Sequence, residues 1–228
     1  MNTRTVIRVT AAIVTVIALL SGCSGRQNID PNRDPKLHVD CYEELTALYG
    51  TERMATLEAL GYAIEDTNVI HGFYIGIPMQ IEYAGVTFDI YLHFDNDARL
   101  SGVDYKKTYS YPSETEQAIR DVLNIGKQLE QDLGEPAQTD VWNDWYEEEY
   151  DVEMDPDPPS YQNADKLRKL VDNDTGGGIM WWDVAAFACP AAKEYITERF
   201  GEEGESGFSL NFSPDIDYAH EITVTISY

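Results

Sequence analysis

Residues 85–97 read GVTFDIYLHFDND, and the alternation inside them decides the fold. In an extended chain Phe88, Ile90 and Leu92 fall on one side, and Asp89, Tyr91 and His93 on the other. A strand of this kind buries one face and leaves the other in water. FDNDAR supplies a turn after it, and Leu100, Val103 and Tyr105 resume an extended pattern. On the other side, FYIGIPMQIEY (73–83) reverses at Ala84-Gly85. The three stretches together predict an antiparallel meander with one face to cover.

The cover follows in PSETEQAIRDVLNIGKQLEQDLGEP (112–136). Ser113 with Glu116 has the spacing of a capping box. Ile119, Val122, Leu123, Leu129 and Leu133 make one apolar stripe, which Gly134 and Pro136 end. Before the meander, Leu45, Leu48 and Tyr49 share a helical face that Gly50 interrupts. Met54, Leu57 and Leu60 resume it until Gly61. The expected class is α+β, an antiparallel sheet covered by helices on one face.

The pattern of residues 85–105 returns near the end of the chain. SGFSLNFSPDID (206–217) followed by ITVTISY (222–228) echoes GVTFDIYLHFDND followed by LSGVDY (100–105). The echo predicts two diverged helix-then-strand units, 39–139 and 140–228, sharing one sheet. Between them, NADKLRKLVDN (163–173) and PAAKEYITERFG (190–201) read as helices and IMWWDVAAFA (179–188) as a buried strand. WNDWYEEEYDVEMDPDPPSYQ (142–162) reads as a strand leading into a long acidic loop. Helices followed by antiparallel strands, repeated in tandem, resemble the layout of the beta-lactamase inhibitor protein and of SmpA/OmlA-type envelope lipoprotein domains. That resemblance implies a binding-type scaffold and transfers no functional residue.

The N-terminus carries an address. Arg4 and Arg8 precede an apolar run from Val9 to Leu20, and no acid appears before Asp30. The run is shorter than the roughly 20 residues a membrane-spanning helix needs, as in a secretory signal. Leu20-Ser21-Gly22-Cys23 resembles the lipobox of bacterial lipoproteins. The resemblance implies that residues 1–22 are removed and that Cys23 is acylated. Residues 23–38, polar and holding two Asp-Pro steps, then form a flexible tether. The domain is expected on the extracytoplasmic side of the cell membrane, held by lipid.

Composition narrows the partners. The chain has 16 basic and 41 acidic residues, a formal charge of −25. Loss of Arg4 and Arg8 with the signal leaves 14 against 41, or −27. Such a surface repels phosphate backbones, so nucleic acid is not an expected partner. Two cysteines besides Cys23 remain, Cys41 and Cys189, and export makes a disulfide between them possible.

The strong catalytic signatures are missing: no GxSxG, SxxK, HExxH or phosphate loop occurs. DNDTGGG (172–178) lacks the lysine of such a loop. His38, His71, His93 and His220 are scattered, and Cys189 is followed by Pro190. Asp95 and Asp97 resemble the opening of an EF-hand loop, but its third acid, sixth-position glycine and terminal glutamate are absent. A hairpin turn accounts for Asp-Asn-Asp without a metal. Asp155 and Asp157 are weaker still as ligands, and no cofactor or metal is expected. Glu147, Glu148 and Glu149 adjoin Trp142, Trp145 and Tyr146, the composition of a sugar site with a carboxylate pair.

The leading expectation is a non-catalytic envelope lipoprotein that binds a protein or small molecule, with Tyr91, Tyr105, Tyr109 and Tyr111 as exposed anchors. The alternatives are an envelope glycan hydrolase using two carboxylates and a structural assembly factor of a membrane complex.

Overall fold

The computed structural model describes residues 45–137, 162–174, 177–183, 190–200 and 207–228. Cys23, Cys41, Cys189, His38, Trp142, Trp145, Tyr146, Glu147–Glu149, Asp155 and Asp157 lie outside the described residues, and so does the proposed disulfide. Seven strands form one sheet: β1 (Asn68–His71), β2 (Tyr74–Tyr83), β3 (Val86–Phe94), β4 (Leu100–Ser110), β5 (Gly177–Asp183), β6 (Gly207–Asp215) and β7 (Glu221–Ser227). Their order is β1-β2-β3-β4-β7-β6-β5, with every neighbouring pair antiparallel. The helices are α1 (Arg53–Leu60), α2 (Thr115–Leu133), α3 (Ala164–Asp172) and α4 (Pro190–Phe200). The fold is α+β.

The two hairpins whose sequences echo each other, β3–β4 and β6–β7, meet through their second strands at the centre of the sheet. Tyr105 stands opposite Ile226 there, and Tyr109 opposite Ile222. The second half departs from a simple meander, because α4 is inserted between β5 and β6. β1 is an edge strand absent from the sequence reading. All four of its residues are exposed, so it gave no alternation to detect.

Phe88, Ile90 and Leu92 are fully buried, as the alternation of β3 requires. They join one apolar core with Val224 and Ile226 of β7, Leu210 and Phe212 of β6, and the inner faces of the helices. On α2 the buried stripe is Ala118, Ile119, Val122, Ile125, Gly126 and Leu129. Leu123 and Leu133 are partly buried beside it. Each large member contributes about 1.5–3 kcal/mol by leaving water. Polar ties fix how α2 sits on the sheet. Tyr109 donates to Asp121 at 2.9 Å and Tyr83 donates to Asp132 at 2.6 Å. Burial is the main reason both phenols lie far above their ordinary pKa, and the carboxylates they face add to it.

Three expectations need correction. Tyr105 and Tyr109 are core residues, not exposed anchors, with 0% and 2% of their surface accessible. The cause is a bulge: Phe94 pairs with Leu100 while His93 pairs with Gly102, so Ser101 is extra and reverses the phase of β4. The capping box does not form. α2 starts at Thr115, the Glu114 carboxylate accepts from the Ser110 N–H, and Glu116 is held instead by Arg168 of α3 at 2.8 Å. Met54 faces solvent, while Leu57 and Leu60 carry the inner face of α1.

The Asp-Asn-Asp turn serves the fold. Asp95 Oδ1 accepts the backbone N–H groups of Asp97 and Arg99, each at 2.9 Å. Its Oδ2 accepts from Tyr195 of α4 at 3.0 Å, and Arg199 reaches Asp95 at 3.5 Å and Asp97 at 3.2 Å. Burial pushes the Asp95 carboxyl up, but these donors outweigh it and hold the group below its ordinary value. The Tyr195 phenol is pushed up to about 12 by burial and by Asp95. Asp174, in the DNDTGGG stretch, likewise caps a turn, accepting from Ile216 N–H at 2.7 Å and Asp217 N–H at 3.3 Å.

Candidate functional site

With the apolar residues turned toward the helices, the alternate residues of the central strands form a second, open face. β3 contributes Thr87, Asp89, Tyr91 and His93, and β4 contributes Gly102, Asp104, Lys106 and Thr108. β7 adds Thr223, Thr225 and Ser227, which stand opposite Thr108, Lys106 and Asp104. Asn211 and Ser213 of β6 continue the row. Thr87, Asp89, Thr108 and Ser213 are exposed, and Tyr91, His93, Asp104 and Lys106 are half-buried. On β2, β3, β4, β6 and β7 this face carries five carboxylates (Glu82, Asp89, Asp104, Asp215 and Glu221) and one lysine (Lys106).

At one end of the face the polar row becomes an aromatic cluster. The β2–β3 register sets Tyr74 opposite His93 and Gly76 opposite Tyr91. The Tyr74 and Tyr91 rings stack with centroids 5.0 Å apart and planes 13° apart. His71 stacks on Tyr74 at 5.7 Å, and His93 tilts against it at 4.4 Å. Gly76 makes room for this: a Cβ there would lie 3.1 Å from the Tyr91 ring.

Asp104 anchors the cluster from β4. One oxygen, Oδ2, accepts from the Tyr74 phenol at 3.2 Å and meets His93 Nε2 at 2.8 Å. No described residue donates to its other oxygen. Burial raises the Tyr74 pKa well above the ordinary phenol value, and the Asp104 charge and hydrogen bond raise it further. The phenol therefore stays protonated and remains a donor to Asp104.

This arrangement differs from a hydrolytic centre in a specific way. His93 and Asp104 pair as an acid–base couple would, but their third partner is a phenol locked in donation. A triad needs a serine or cysteine within hydrogen-bond reach of the histidine. Among the described residues, no group of three or more His, Cys, Asp or Glu side chains is placed to hold a metal ion. Of the candidate histidines, the structure brings His71 and His93 together around Tyr74. His220 is placed apart, exposed at the turn before β7.

Compared with known proteins, the sequence matches no family model, and no curated protein or solved structure matches it. Tyr91 is the one proposed anchor that lies on the open face; Tyr111 packs partly against the core. No sequence spacing links Tyr74, His71, His93 and Asp104; strand pairing alone makes them neighbours.

Proposed function

We propose that the chain is a non-catalytic envelope lipoprotein, fastened through Cys23, that holds a basic protein partner against the open face of its sheet. The observation that carries this reading is the open face itself. It is a broad polar surface of Thr, Ser and Asn rows with an aromatic cluster at one end, and Thr87, Asp89, Thr108 and Ser213 stand exposed on it. Tyrosine beside polar hydrogen-bonding rows is the composition of an interface core with its rim. The occupant is argued from charge: five carboxylates oppose one lysine on this face, on a chain of net charge −25. A partner with a positive surface is steered toward it, and an acidic one is turned away.

The anchor is argued separately, from the charged start, the short apolar run and Leu20-Ser21-Gly22-Cys23. Among the described residues no helix is long and apolar enough to cross a membrane.

The test is capture of bound protein from detergent-solubilised membranes, comparing the native chain with Thr223→Arg and Asn124→Arg. Both variants add one positive charge at a surface position. Thr223 is on the open face, between Thr108 and Ser213; Asn124 is exposed on α2. A basic protein retained by the native chain and by Asn124→Arg, and lost at least tenfold with Thr223→Arg, supports the reading. Equal capture by all three, or loss with Asn124→Arg alone, overturns it.

A further inference from the structure

Four of the five large apolar side chains exposed among the described residues gather at one corner of the fold. Met54, Val69, Ile70 and Phe73 are each 46% to 56% accessible; the fifth, Tyr218, is in the turn between β6 and β7. Val69 and Ile70 belong to β1, and Phe73 to the short turn that joins β1 to β2. Arg53, the residue before Met54, donates through Nη1 to the Gly72 carbonyl at 3.0 Å, which ties the first turn of α1 to that hairpin. The four side chains therefore lie within a few residues of a single hydrogen bond. Arg53 meets no carboxylate among the described residues. Asp95 and Asp97, in the adjoining β3–β4 turn, are met by Arg199 instead.

This corner is at the end of the sheet where the described chain enters. Five residues after Leu45, Gly50 N–H donates to Leu100 O at 2.9 Å, beside the start of β4. Arg53 N–H reaches Ala98 O at 2.9 Å, and Phe94 N–H, at the end of β3, reaches Phe73 O at 2.8 Å. The β2–β3 and β6–β7 turns are at the other end, about 35 Å away along the 11 residues of β4. Glu82, Asp215, Asp217 and Glu221 stand at those turns.

We propose, resting on the anchor read at Cys23, that this corner lies against the lipid bilayer. Met54, Val69, Ile70 and Phe73 sit at the headgroup–acyl boundary, and Arg53 meets a lipid phosphate. Single exposed apolar side chains are ordinary, but a cluster of them beside a polar group marks a contact surface. The place where the chain enters identifies the occupant. Leu45 follows Cys23 by 22 residues, a connection that spans at most about 75 Å. A lipid on Cys23 draws the entry end toward the membrane and leaves the acidic end facing away from its phosphates. Arginine suits the boundary, because its stem packs among apolar groups while its guanidinium stays with the phosphate. In that pose the Thr, Ser and Asn rows of the open face remain free for the partner.

The test uses the full chain, purified in detergent and reconstituted into phosphatidylcholine vesicles, with a photo-crosslinking residue placed at Phe73 or at Tyr218. Flotation with the vesicles reports the anchor, and the mass of each adduct reports what touches that position. Phe73 is expected to yield phosphatidylcholine adducts at least about tenfold above Tyr218. With the crosslinking residue at Ile70, Phe73→Glu should cut the lipid adduct at least about fivefold, and Tyr218→Glu should leave it within about twofold. All three positions are exposed, so these changes spare the core. Equal lipid yields from Phe73 and Tyr218 on floating vesicles overturn the membrane contact and leave the anchor in place. Adducts from Phe73 with a second copy of the chain, and none with lipid, do the same. A native chain that fails to float removes the anchor, and this contact surface with it.

Discussion

Val224→Asp is expected to unfold the chain, while Thr225→Asp, one residue further along the same strand, leaves it folded. Val224 is fully buried on the core face of β7, between Lys107 and Phe212 in register. Lys107 turns its ammonium over the Tyr109 ring, 5.7 Å from its centroid, so a carboxylate at 224 loses the apolar contact and enters a setting with little water, at a cost above about 4 kcal/mol. Stability of a domain this size is of order 5–15 kcal/mol, so that loss takes most or all of it. Thr225 points the other way, between Lys106 and Asn211. An aspartate at that position meets a lysine across the strand, and the change stays within about 1 kcal/mol. Urea midpoints for the two variants are the check. Similar losses in both would mean that the two faces of the sheet are not as different as the structure places them.

The second large effect concerns attachment. Cys23→Ser removes the only sulfur in the lipobox-like stretch and is expected to move the chain from the carbonate-washed membrane pellet to the supernatant. Each buried acyl CH₂ contributes about 0.8 kcal/mol, and more than one chain makes release slow beyond any ordinary wash. The native N-terminal peptide should carry the mass of a diacylglyceryl group on Cys23. A bare thiol there, or a serine variant that still sediments with lipid, would end the lipoprotein reading. It would leave the open face untouched.

What the sequence discloses depends on whether a feature is local. The alternation of Phe88, Ile90 and Leu92 is a property of neighbouring residues, so β3 could be read directly. The α2 stripe and its stop at Gly134 are legible for the same reason. The errors arise where one extra residue or a distant partner intervenes. Ser101 reverses the inward side of β4, turning Tyr105 and Tyr109 from apparent anchors into core. Glu116 has the spacing of a capping box but is drawn away by Arg168, which is 52 residues distant. The site is the extreme case. Tyr74, Tyr91, His93 and Asp104 come from three strands, with no spacing rule to link them. Only the polar side of β3 hinted at half of the group.

The open face, not the helical layer, is expected to meet the partner. Its most direct test is a photo-crosslinking residue placed at Thr225 or at Lys127, an exposed position of α2, in cells making the full chain. Thr225 should yield a discrete adduct with a basic protein, and Lys127 should not. Adducts from Lys127 with none from Thr225 would contradict the assignment of the binding surface.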